Sequence, residues 1–106
     1  ARVPPVDQPL IRGHPDGRHS LYLSAPLMEC VVGWSDADSH ALFTELVAHA
    51  TQPAFVYRHR WRAHDVVMWD NRCTMHCVTP YDAATRRRVM HRTALVGTEP
   101  VTGVEA

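Results

Sequence analysis

Pro53 divides this chain into two periodicities, and that break limits what it can fold into. Upstream, between Ser35 and about Ala50, the residues Leu42, Phe43, Leu46, Val47 and Ala50 recur at helical spacing and form one apolar face. Ser35 can accept from the first free amides as an N-cap. Asp36 and Asp38 suit the positive end of the helix, and Pro53 stands just past its last turn. Downstream the period falls to two. Phe55, Tyr57, His59 and Trp61 alternate along one face of a strand. Val66-Val67-Met68-Trp69 is a continuous apolar run, the pattern of a buried strand. Met75 to Thr79 and Val89 to Val96 add two more short strands, separated by a solvated loop at 82–85. One amphipathic helix at about 35–50 with many short strands predicts a β-rich α+β domain of sandwich or jelly-roll type.

The segment before the helix fits the same class. Residues 1–9 carry Pro4, Pro5 and Pro9 and read as an irregular end. Leu10-Ile11-Arg12 and Leu21-Tyr22-Leu23 read as two strands joined by the turn His14-Pro15-Asp16-Gly17-Arg18, where Asp-Gly supplies the positive-φ chemistry of a hairpin. Val31-Val32 is a further short apolar piece, and residues 98–106 read as a second irregular, surface end. The 106 residues suffice for one small domain. A jelly roll of this size leaves sheet edges that the chain does not cover by itself.

Composition narrows the partners. Lys+Arg and Asp+Glu both number 11, a formal net charge of zero, which favours neither nucleic acid nor an anionic membrane. No apolar run is long enough to span a bilayer, and no basic-then-apolar leader opens the chain. It starts at Ala1 instead of Met, as a processed or partial chain would. Three cysteines, Cys30, Cys73 and Cys77, have no disulfide-framework spacing, so a reduced, cytoplasmic setting is expected. Eight histidines allow metal binding or pH sensitivity near neutrality.

Several residues could carry chemistry. His76 follows the turn residues Asn71 and Arg72 and shares a strand face with Thr74, a position suited to metal ligation at a barrel mouth. The competing reading is an edge or core histidine satisfied by a hydrogen bond. Arg86 reads as part of a solvated loop. Arg88 and Arg92 share a face of the apolar strand that follows, and an inward arginine needs an anion. Its planar fork fits a carboxylate, from a ligand or from a protein Asp or Glu. Cys73 and Cys77 loosely match half of a structural zinc site, but no second pair follows. His14 and Asp16 match the H-x-D of a facial-triad iron site that His76 could close, and equally an ordinary turn.

These segments together resemble the C-terminal half of the taurine/2,4-dichlorophenoxyacetate dioxygenases. The resemblance rests on His14-Pro-Asp-Gly-Arg18 followed by Leu21-Tyr22-Leu23, on the helix at 35–50, and on Pro53-Ala54-Phe55 with Arg58-His59-Arg60-Trp61. It continues through Asp65-Val66-Val67-Met68-Trp69-Asp70-Asn71-Arg72, Thr74-Met75-His76 and Arg88-Val89-Met90-His91-Arg92. It covers about Leu10 to Val101, in order.

The resemblance implies one partial domain over 1–106, the C-terminal half of a double-stranded β-helix. It implies an Fe(II)- and 2-oxoglutarate-dependent dioxygenase that uses O2 to hydroxylate a small anionic substrate, an aryloxyalkanoate or a sulfonate. It makes His76 the distal iron ligand, Arg88 the grip on the far carboxylate of 2-oxoglutarate, and Arg92 the grip on the substrate's acidic group. Trp69 matches an aromatic lying close to the iron. The hairpin at 14–18 is not the family's metal motif, whose H-x-D lies upstream of the matching part. The 106 residues alone are therefore expected to be inactive, and homo-oligomerisation is left open for the full-length enzyme. Two other readings stand beside this one: a non-catalytic β-sandwich binding module and a structural zinc domain.

Overall fold

The computed structural model describes residues 4–98 and 100–104. Strand β1 (Ile11–Gly13) pairs antiparallel with β2 (His19–Leu21), with Ile11 opposite Leu21, Arg12 opposite Ser20 and Gly13 opposite His19. The turn between them closes through His14 N–H to the Arg18 carbonyl and Gly17 N–H to the His14 carbonyl, each 2.9 Å. Gly17 takes φ +86°, a conformation that costs glycine nothing and other residues about 1 kcal/mol or more. The Tyr22 amide donates to the Leu10 carbonyl, so pairing runs one residue past the ladder on each side.

Strand β3 (Thr102–Gly103) joins the other edge of β1, giving the order β2-β1-β3, all antiparallel. The end expected to be irregular thus supplies a short strand. A Cβ at Gly103 would lie 3.2 Å from the Pro9 Cβ, so glycine lets this backbone approach the start of the hairpin.

Helix α1 (Asp36–Ala50) matches the expectation closely. Ser35 is the N-cap and its Oγ accepts from the Asp38 amide at 3.1 Å. Leu42, Phe43, Leu46, Val47 and Ala50, the face marked by the helical spacing, are half-buried. Ser39 is fully buried, and its Oγ accepts from the Val31 amide at 2.9 Å, tying the 24–34 loop to the helix. A short 3₁₀ turn at Pro53–Phe55 follows, and Phe55 ends its run of helical backbone instead of starting a strand.

Beyond this the expected strands do not form among the described residues. Residues 56–98 have no regular secondary structure apart from turns. Val66 is 92% exposed, Met68 89% and Leu95 96%, so the apolar run 66–69 is not a buried strand here. The physical reason is pairing: a strand needs a hydrogen-bonded neighbour to satisfy its backbone, and no described segment pairs with these as a strand. Leu23 is the buried apolar side chain of the described residues. The radius of gyration is 16.6 Å, against roughly 13 Å for a compact domain of this length. What is shown is one helix with a three-stranded antiparallel sheet; a closed jelly roll is not.

Candidate functional site

The turn at 70–74 organises the residues singled out above. Asp70 accepts from the Arg72 amide at 2.9 Å and from the Arg72 guanidinium through Nε at 3.0 Å and Nη2 at 2.8 Å. The Asp70 carbonyl in turn accepts from the Thr74 amide and the Thr74 hydroxyl. One aspartate therefore binds its i+2 arginine and nucleates the turn on which Trp69 and His76 stand. The hairpin repeats the device: Asp16 accepts from the Arg18 amide at 3.0 Å and from Arg18 Nε at 2.6 Å. The two turns are linked, because His14 Nε2 and Ser20 Oγ share a 2.6 Å hydrogen bond and Ser20 Oγ donates to the Arg72 carbonyl at 3.5 Å. The Asp-x-Arg spacing was visible in the sequence twice, yet its clasp was not read from it.

These bonds perturb the carboxyls. Asp70 is held at about 2 instead of 3.8, first by the Arg72 side chain and then by the Arg72 amide. Asp16 is lowered by the Arg18 amide and then its side chain. A depressed folded-state value stabilises the fold above the unfolded value of 3.8, and this stabilisation is lost as pH falls through about 2. Both side chains of the Asp70–Arg72 pair are 41% exposed, so solvent screening limits the contribution to about 1 kcal/mol or less. The expected result is an Asp70 carboxyl titrating near 2 by carbon NMR, with Asp70→Asn removing the acid-side loss of turn stability below 3.8. A midpoint near the ordinary aspartate value would mean that the fork does not persist in solution.

His76 and Arg92 meet at one ring. The His76 imidazole lies 4.6 Å from the Trp69 ring, tilted by 43°. The Arg92 guanidinium carbon sits 5.7 Å from the Trp69 centroid. Trp69 Nε1 donates to Asn71 Oδ1 at 2.8 Å, which fixes the indole to the turn. His76 is exposed and makes no hydrogen bond among the described residues. Arg88 and Arg92 are exposed and carry no ion pair among the described residues. Arg88 is not drawn to the Trp69 ring; the strand that was expected to align it with Arg92 is absent here.

His14 and Asp16 are engaged in the hairpin, as the turn reading requires. Among the described residues no three His, Cys, Asp or Glu side chains converge. His76 offers one imidazole, and no set of three ligands is assembled around it among the described residues. Among the described residues, one surface depression lies at the start of α1 beside Gly33 and Trp34, and another between the His14 hairpin and the Asp70–Arg72 turn. Neither is lined by His76, Arg88 or Arg92. A cleft needs walls, and residues 73–98 stand exposed.

A second cluster escaped the sequence reading. Tyr57 Oη and His59 Nδ1 are 3.0 Å apart, His59 Nε2 and Asp65 Oδ2 3.1 Å, and Trp61 meets His59 edge-on at 4.7 Å. Alternation had placed residues 57, 59 and 61 on one face, which was the available signal. Asp65 is lowered chiefly by the Arg62 amide and next by His59. Its bonds hold a turn in which His64 takes φ +72°, a strain of about 1 kcal/mol.

Comparison with known proteins decides the family. The profile described as "Taurine catabolism dioxygenase TauD, TfdA family" matches residues 1–94. The chain belongs to this dioxygenase family. It is 46% identical over 94 residues to the alpha-ketoglutarate-dependent 2,4-dichlorophenoxyacetate dioxygenase of Burkholderia sp. (strain RASC), covering 88% of this chain and 31% of that protein. It is 37% identical over 91 residues to the (S)-phenoxypropionate/alpha-ketoglutarate-dioxygenase of Sphingobium herbicidovorans, covering 85% and 31%. With the alpha-ketoglutarate-dependent sulfate ester dioxygenase of Pseudomonas putida the identity is 38% over 97 residues, covering 91% and 32%. The chain thus spans about a third of the length of these dioxygenases. No solved structure matches it. Among the described residues no helix is long and apolar enough to cross a membrane.

Proposed function

We propose that this chain is the substrate- and cosubstrate-gripping part of an Fe(II)/2-oxoglutarate-dependent dioxygenase that hydroxylates a small anionic molecule. The observation that carries the reading is the grouping of His76 and Arg92 on the Trp69 ring, within a chain whose relatives are alpha-ketoglutarate-dependent. His76 would supply one ligand to the iron, with the others coming from parts of the enzyme outside these residues. Bound iron and 2-oxoglutarate supply the oxidative chemistry; the protein binds, aims and shields the reactants. Arg88 would hold the far carboxylate of 2-oxoglutarate as a bidentate fork, and Arg92 the acidic group of the substrate. Both guanidiniums have their donors available for anions.

The substrate class follows the relatives, which act on 2,4-dichlorophenoxyacetate, phenoxypropionate and sulfate esters. Of these we favour an aryloxyalkanoate, since the 46% identity lies with the 2,4-dichlorophenoxyacetate enzyme. In the whole enzyme the exposed apolar segments at 55–61, 66–69, 75–79 and 89–96 would become strands of a double-stranded β-helix. Large exposed apolar patches ordinarily mark an interface, which supports this. We place the enzyme in the cytoplasm, in keeping with three free cysteines.

The test is succinate release from 2-oxoglutarate. The full-length enzyme with Fe(II) is expected to release succinate in step with consumption of 2,4-dichlorophenoxyacetate, and the 106-residue chain alone is expected to release none. Release by the chain alone would revive the His14–Asp16–His76 triad. No release by the full-length enzyme with any aryloxyalkanoate, sulfonate or sulfate ester would remove the reading.

A further inference from the structure

Arg92 has one partner among the described residues, and it is an aromatic ring. That choice has a chemical consequence. A carboxylate partner would occupy the N–H donors of the guanidinium and cancel its charge. A ring face attracts the cation and leaves the donors, which lie in the guanidinium plane, directed outward for another acceptor. An arginine also carries about 2 kcal/mol of rotamer entropy that binding would otherwise have to overcome. Trp69 therefore can hold Arg92 ready for an anion without consuming what the anion needs.

The indole is itself anchored. Its Nε1 donates to Asn71 Oδ1, and the Asp70–Arg72 fork stiffens the turn that carries both. The same ring touches the His76 imidazole, so one rigid plate references both the anion grip and the imidazole. Trp69 is flanked by the turn on one side and remains 38% exposed, leaving room beside it for a ligand.

We propose that Trp69 is a positioning residue that pre-aims the Arg92 guanidinium at the acidic group of the substrate and keeps it in register with His76. This rests on the reading of Arg92 as the substrate's anion grip. It makes acid recognition depend on a side chain that never bonds the acid. Arg88, which is off the ring, holds 2-oxoglutarate without its help.

The experiment is equilibrium dialysis of 2,4-dichlorophenoxyacetate, and separately of 2-oxoglutarate, with the full-length enzyme loaded with Fe(II). Trp69→Leu keeps an apolar side chain but removes the π face. It is expected to weaken 2,4-dichlorophenoxyacetate by about tenfold and 2-oxoglutarate by less than about twofold. Trp69→Phe restores a ring and should recover most of the affinity for the acid. If Trp69→Leu does not fold, Asn71→Ala, which removes only the acceptor fixing the indole, should show the same selective loss. Acid affinity unchanged in Trp69→Leu but lost in Arg92→Ala would overturn the role of Trp69 and leave Arg92 as the grip. Acid affinity unchanged in Arg92→Ala would overturn both. Equal losses for the two compounds in Trp69→Leu, or no recovery in Trp69→Phe, would show the ring to be a packing element and overturn the proposal.

Discussion

Arg88→Lys in the full-length enzyme is expected to weaken 2-oxoglutarate by roughly thirty- to hundredfold while leaving the acidic substrate nearly unchanged, and Arg92→Lys is expected to do the reverse. Each bidentate, charge-assisted pair contributes on the order of 2–3 kcal/mol, which converts to that range of affinity. Lysine keeps the charge but cannot present two parallel donors, so the substitution removes the fork and little else. The structure gives the two arginines different surroundings: Arg92 lies on the Trp69 ring, and Arg88 has no such contact. Separate Michaelis constants for 2-oxoglutarate and 2,4-dichlorophenoxyacetate would check the split. Equal losses for both compounds in both variants would mean that the arginines support the backbone and do not read ligands.

His76→Ala is expected to cost the full-length enzyme most of its Fe(II) affinity, at least about a hundredfold, since losing even a residue that only hydrogen-bonds a metal ligand costs about ten- to hundredfold. The visible absorption band that forms with Fe(II) and 2-oxoglutarate should disappear with it. His76 lies in the 75–79 segment expected to become a strand in the whole enzyme, so circular dichroism of the variant should accompany the band measurement. With the circular dichroism unchanged, a lost band cannot be traced to a collapsed core. An unchanged band would remove His76 from the ligand set.

How much of this was legible beforehand depends on how local the cause was. The helix was legible because its signals lie within its own residues: a serine cap, two early aspartates, and apolar side chains recurring at helical spacing. The same is true of the hairpin, where Asp16 and Gly17 make the turn out of local bonds and a permitted positive φ. The strands read into 66–69 and 89–96 fared differently, because alternation and β-branched residues describe a willingness to pair and not a partner. Thr102–Gly103 shows the converse: with no strand signature of its own, it pairs because β1 offers an edge.

The candidate site divides along the same line. His76, Arg88 and Arg92 were identifiable as residue types, and the family resemblance gave each an expected role. Their grouping was not identifiable from spacing, since His76 and Arg92 meet through a tryptophan seven residues before the first and twenty-three before the second. By itself the sequence determined the helix, the hairpin, the free cysteines and the family, because each depends on near-neighbour geometry or on residue identity read in order. Only the tertiary structure decided that Trp69 joins His76 to Arg92, that His14 bonds Ser20, and that the 56–98 segment stands without strand partners. Those depend on which distant groups come within a few ångströms, and short-range patterning carries no record of that distance.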